Sequence, residues 1–379
     1  MIWSFGQMAF SLQNDNVELA VTESGGHLAP VTFTVDGGRQ IQPFSIAPWW
    51  NENTDEAPLL QVLRGDFFCM PFGANNDLYE GERYLAHGET ANCPWRHVET
   101  VSKGDKSTLH LQLDVSAQQG KVDKIIEIRQ GHSAVYQRHV ISGLSGRMPL
   151  GHHATLKFQS PGLISTSPRS FGKVNPTTFE NPAKGGYSFL KPDAEFTDLT
   201  RVPCINGSVS DLSVYPNREG FEDLAMVFSQ SELRFAWTAV VFPQEEYLWI
   251  AFKDPRVLVG TIFWCSNGGR HYPPWRGRHR AVMGLEEATT YFAEGLAASA
   301  RTNSLSERGI PTCITLSPEQ PSTINYVMAV AAIPKGFNRV AFVHENNDGV
   351  EIVAESGERV STKIDLTFLA ERHNEPPIG

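Results

Sequence analysis

A two-residue hydrophobic period limits this chain more than any other feature of its 379 residues. In the segment STLHLQLDV, Leu109, Leu111, Leu113 and Val115 fall on one face, with His110, Gln112 and Asp114 on the other. That alternation marks a half-buried strand. KIIEIRQ and SAVYQRHVIS follow, split by Gln130-Gly131-His132, and predict a hairpin. LRFAWTAVVF and EYLWIAFKD predict a second antiparallel pair, joined through Pro243-Gln244-Glu245. VLVGTIFWCS adds a β-rich run, and NRVAFVHEN, VEIVAES and TKIDLTFLA a last set. The content of 32 Gly and 24 Pro suits many short strands with many turns. Helical signal is confined to residues 285–303, LEEATTYFAEGLAASARTN, where alanine and glutamate favour a helix and Gly295 weakens it. Many strands with almost no helix predict an all-β chain of large, mainly antiparallel sheets packed face to face. No linker or repeat divides it, so residues 1–379 are expected to form one domain.

Composition excludes several functions. The formal charge of −10 and the lack of a long basic run argue against nucleic acid as a partner. No apolar stretch approaches the ~18 residues of a membrane span. The N-terminus lacks the basic and apolar regions of a signal peptide. Cys69, Cys93, Cys204, Cys265 and Cys313 are scattered, odd in number and never spaced C-x-x-C. They are expected to be free thiols in a reducing cytoplasm, with no metal site. Nothing in the sequence fixes an oligomeric state.

Chemistry-bearing residues gather in three segments. The first is LRGDFFCMPFG (63–73) with HGETANCPWRHV (87–98) shortly after. The second is PLGHHATLKF (149–158), and the third is WCSNGGRHYPPWRGRHRAVMGLEEATTYF (264–292). Aromatic faces beside hydrogen-bonding groups suit a small carbohydrate, whose C–H faces stack and whose hydroxyls need partners.

These segments resemble the motifs of galactose mutarotase-like proteins, the aldose 1-epimerase superfamily, and in particular hexose 6-phosphate mutarotases. Arg64-Gly65, Pro71, Phe72 and Gly73, then His87-Gly88 and Trp95, match an R-G-G-x-P-x-x-x-P-x-F-G stretch preceding H-G-F-A-R-x-x-x-W. His153 falls on the second family histidine, and Glu286 on the late catalytic carboxylate. The resemblance implies a β-supersandwich and an isomerase acting at the anomeric carbon of a free sugar, with no cofactor. It implies Glu286 as base, His153 as acid and His87 as a group that binds and polarises the sugar. Arg64, Arg270 and Asn267 are expected to bind substrate, with Trp95 and Trp264 as stacking platforms. The chain departs from the family at Ala91, in HATLKF and at Glu287, which leaves the sugar open: neutral, acidic or phosphorylated. A non-catalytic carbohydrate-binding protein on the same scaffold is the alternative.

Each of these residues also has a plainer reading. His152 and His153 are adjacent, so in a strand they face opposite sides and only one reaches a site. Glu286 and Glu287 pose the same question, or together form a helix N-terminus favoured by the dipole. Arg64 could pair with Asp66 or another loop acid. Trp95 and Trp264 could be core residues. Arg276, Arg278, His279 and Arg280 form either a solvated loop or an anion-capturing cluster.

Overall fold

The structure, a computed structural model, describes residues 1–52 and 54–372. Two large antiparallel sheets dominate it. In one, nine strands run in the order Val214–Tyr215, Gly162–Thr166, Ala236–Phe242, Tyr247–Lys253, Ser322–Ala332, Ala134–Ser142, Gly120–Arg129, Lys106–Val115 and Arg96–Lys103. In the other, seven strands run in the order Glu195–Phe196, Arg169–Val174, Phe221–Ser229, Gly260–Asn267, Val282–Thr289, Leu150–Lys157 and Phe68–Cys69. Both hairpins expected from the sequence form, as Gly120–Arg129 with Ala134–Ser142 and as Ala236–Phe242 with Tyr247–Lys253.

The period-two face of Lys106–Val115 packs into the main core, where Leu109, Leu111, Leu113 and Val115 meet Leu156, Phe263, Met283 and Leu285 of the opposite sheet. A second apolar layer lies on the far side of the nine-stranded sheet. There Trp237, Leu248, Ile250 and Phe252 cluster with Val350, Ile352, Leu366 and Phe368 from the C-terminal segment. That segment forms a three-stranded sheet over residues 340–362, then a short 3-10 turn at Leu366–Ala370 where the last strand was expected. The seven-stranded sheet has a third cluster, lined by Phe67, Phe72, Ile262, Trp264, Trp275 and Phe292. Long loops converge on this face, and it carries the candidate site.

The helix expected over 285–303 is mostly absent. Val282–Thr289 is a strand paired on both edges, with every residue buried, and only Leu296–Ala300 is helical. Helix propensity is worth under ~1 kcal/mol per residue, and pairing on both edges outweighs it. Gly295, at φ 94°, separates the two elements. Glu286 and Glu287 therefore sit in mid-strand and not at a helix start.

Candidate active site

Strand alternation resolves both adjacent pairs. Leu150–Lys157 and Val282–Thr289 run antiparallel with His153 opposite Glu286 and His152 opposite Glu287. Residues directly opposite share a face. His153 Nε2 lies 3.1 Å from Glu286 Oε1 on the outer, loop-covered face. His152 and Glu287 point between the sheets. There His152 Nδ1 meets Asp66 Oδ2 at 2.9 Å, and Glu287 contacts the buried Lys253 ammonium and accepts from Thr238 and Thr261. Gly284, next on the outer face, makes room for the carboxyl. A Cβ there would stand 2.5 Å from Glu286 Oε1 and 3.1 Å from the Trp264 ring.

Aromatic groups wall in the His153–Glu286 pair. Phe67 stacks on the His153 ring at 4.4 Å, and Trp264 and His87 approach it edge-on at 5.5 and 5.3 Å. Thr155 Oγ1 meets His153 Nδ1 at 3.2 Å. His87 stands at φ 57° on a turn held by its own N–H, which donates to the Gly73 carbonyl, and packs edge-on against Phe72. Its Nδ1 is buried without a partner. Arg270 donates from Nε to Glu180 Oε1 at 2.6 Å, with its guanidinium over the Trp275 and Trp264 rings at 4.5 and 5.4 Å.

Burial sets the proton affinities. It pulls His153 well below the ordinary histidine value, and the neighbouring His87 pulls the same way. It lifts Glu286 well above the carboxylate range, against a downward pull from Arg270. His87 falls to about 4, through burial and then Arg270. These directions put the shared proton of the resting pair on Glu286. A carboxyl and an imidazole in contact, both screened from water, are suited to passing protons to and from a hydroxyl held between them.

Not every expected residue reaches this face. Arg64 is buried and spends its donors on backbone, giving Nε–H to the Val62 carbonyl and its terminal nitrogens to the Ser4 and Phe5 carbonyls. It fastens the N-terminal hairpin and, among the described residues, pairs with no acid. Trp95 lies in the core between the sheets, donating to the Thr90 carbonyl, with its ring 6.5 Å from His139. The Asn267 amide is used up by the backbone of Asn217 and Ala281. The Arg276–Arg280 run is mostly a solvated loop, as its plainer reading has it. Arg276 and Arg280 are exposed, and Arg278 pairs with Glu52. His279 is the exception, being 2% exposed.

Three groups of the site escaped sequence reasoning. Glu222 is fully buried and accepts from Trp264 Nε1 at 3.0 Å, Ser266 Oγ at 2.9 Å and the Gly269 N–H at 3.2 Å. Burial lifts it to about 7 despite Arg270. Its only signal was a pair of adjacent acids, Glu222 and Asp223, opening the otherwise apolar run FEDLAMVF. Glu180, which also accepts from the Tyr272 hydroxyl, sits in a loop whose length alone suggested function. Phe67 stood in a segment read for its polar residues.

Neither a protein-family model nor a curated protein sequence matches the chain. Solved structures do. A candidate aldose 1-epimerase from Escherichia coli K12 aligns at TM-score 0.56 and 12% identity, over 86% of this chain and all of its own. A galactose mutarotase related enzyme from Lactobacillus acidophilus aligns at 0.54 and 10%, over 86% and 99%. A galactose mutarotase-like protein from Clostridium acetobutylicum aligns at 0.53 and 11%, over 86% and 96%. At these identities the likeness establishes the fold, and the chain has the galactose mutarotase-like architecture.

Proposed function

We propose that this galactose mutarotase-like chain interconverts the anomers of a free aldose, with Glu286 and His153 as the proton-transferring pair. The observation that carries the reading is their 3.1 Å contact on the loop-covered sheet face. Anomer exchange requires a base to take the proton of the anomeric hydroxyl and an acid to protonate the ring oxygen. Rotation about the first carbon–carbon bond and reclosure then invert the centre. Glu286 is the base and His153 the acid.

The pair must then hold its single proton on His153. Burial opposes that form, and Arg270 favours it by stabilising the carboxylate. A sugar hydroxyl donating to Glu286 acts in the same direction, because hydrogen bonds to the charged form lower a carboxyl's pKa. Substrate arrival thus moves the proton to where ring opening needs it. His87 holds a hydroxyl, and Trp264 offers a ring face. A neutral aldose fits better than a phosphosugar, since Arg270 is already engaged by Glu180 and has Glu222 close by.

The non-catalytic binding alternative has one observation in its favour, the neutral carboxyl that burial prefers at Glu286. The two readings separate on anomer exchange measured by NMR with and without Glu286→Gln. Enzymatic acceleration that this substitution abolishes supports the epimerase. Binding with no acceleration supports the alternative.

A further inference from the structure

A second hydrogen-bonded chain runs beside the His153–Glu286 pair. Ser266 Oγ lies 2.9 Å from Glu222 Oε1 and 2.6 Å from His279 Nδ1. A hydroxyl has one proton, so Ser266 donates to one neighbour and accepts from the other. Glu222 is an acceptor for two further donors, the Trp264 indole N–H and the Gly269 N–H, as suits the carboxylate it becomes above about pH 7. Ser266 therefore donates to Glu222, and His279 donates its Nδ1–H to Ser266. His279 is neutral, held down to about 3 by burial and then by Arg270. A neutral imidazole protonated at Nδ1 has a bare lone pair at Nε2.

That Nε2 is buried and has no partner. The ring that carries it is stacked on Trp264 at 5.4 Å and 17°, and Trp275 approaches edge-on at 5.2 Å. Trp264 also meets the His153 ring, so the two histidines flank one indole. A bare acceptor set among ring faces is the complement of a sugar hydroxyl, which donates its proton while its carbon skeleton lies on the aromatic surface.

We propose that His279 is a substrate-binding residue, its Nε2 accepting a hydrogen bond from a sugar hydroxyl, and that Ser266 and Glu222 act as positioning residues by fixing the tautomer that leaves Nε2 free. The proposal rests on the sugar-binding reading of the same face. It gives the sequence HYPPWRGRH a function at its last residue that neither its basic charge nor its loop character suggests.

The test is 15N NMR of the histidine side chains of the full chain at pH 8, with His279 assigned by its absence from the His279→Phe spectrum. The expected result is a protonated Nδ1 and an unprotonated Nε2. Ser266→Ala should return His279 to the Nε2–H form that a free neutral histidine side chain prefers, and weaken sugar binding about tenfold, the worth of one neutral hydrogen bond. Titrating D-glucose and D-galactose should shift the Nε2 resonance. An Nε2–H tautomer in the unmutated protein overturns the relay. Sugars that move the His153 resonances and leave His279 untouched overturn its binding role alone. Sugars that move neither ring overturn the sugar reading and this proposal together.

Discussion

Glu286 and Glu287 are neighbours in one strand, of one residue type and equally buried, yet their substitution should have opposite consequences. Glu287 faces Lys253 between the sheets, where the two side chains are each 1% exposed. Burial alone drives the Lys253 pKa down, and Glu287 is what resists this. Glu287→Gln keeps the shape and leaves the ammonium without a counter-charge. Breaking a buried pair by removing one partner costs about 3–5 kcal/mol. For 379 residues the unfolding entropy is about 0.8 kcal/mol/K, so the melting temperature should fall by about 4–6 °C. The deficit should shrink as the pH is raised toward lysine's ordinary ~10.4, because Lys253 can then shed its proton. Among the described residues Glu286 has no buried Lys or Arg at ion-pair distance, and Glu286→Gln removes a carboxyl that burial already holds neutral, so stability should stay within about 1 kcal/mol. The assay is thermal or urea unfolding of the two variants at pH 7 and pH 9, alongside anomer exchange. Equal stability losses, or a Glu287→Gln protein as stable as the parent, would refute the assignment of the two faces.

Other expectations follow from single contacts. Gly284→Ala places a methyl 2.5 Å from Glu286 Oε1, so it should cut the exchange rate by about 10²-fold, read by the same NMR assay, through displacement of the carboxyl. Glu222 has its folded pKa raised to about 7 from an ordinary 4.5, so its contribution to stability is complete below pH 4.5 and is lost as the pH rises through 7. That loss is about 3 kcal/mol, and in Glu222→Gln the corresponding slope of stability between pH 4.5 and 7 should vanish in urea titrations. Arg64→Met should destabilise the protein by at least about 2 kcal/mol by stranding the Ser4, Phe5 and Val62 carbonyls, with KM unchanged because Arg64 is remote in function from the pair.

Much of this architecture was legible in local patterning, because strands reveal themselves through alternation and need little context. The hairpins at 120–142 and 236–253 were visible for that reason. The run 282–289 was not, since a strand buried on both faces and paired on both edges has no alternation to show, and its Leu-Glu-Glu-Ala composition favours a helix in isolation. The facing of His153 and Glu286 could be posed from the sequence as a choice between neighbours, but only the register of two strands about 130 positions apart decides it. Arg64 and Trp95 show the opposite failure. Both stand in the best-matched motif, and both are consumed by packing and by backbone carbonyls that no sequence pattern displays. Glu222 and Glu180 were only faintly marked because each becomes part of the site through partners on distant segments, Trp264 and Arg270.

The most direct test of the central claim is the rate of anomer exchange, followed by NMR, for a panel of neutral, acidic and phosphorylated aldoses with the native protein and with Glu286→Gln. The account predicts that a neutral aldose exchanges faster than in buffer and that Glu286→Gln, folded as stably as the native chain, abolishes the gain. Exchange at the buffer rate for every sugar, or acceleration that survives Glu286→Gln undiminished, would contradict it.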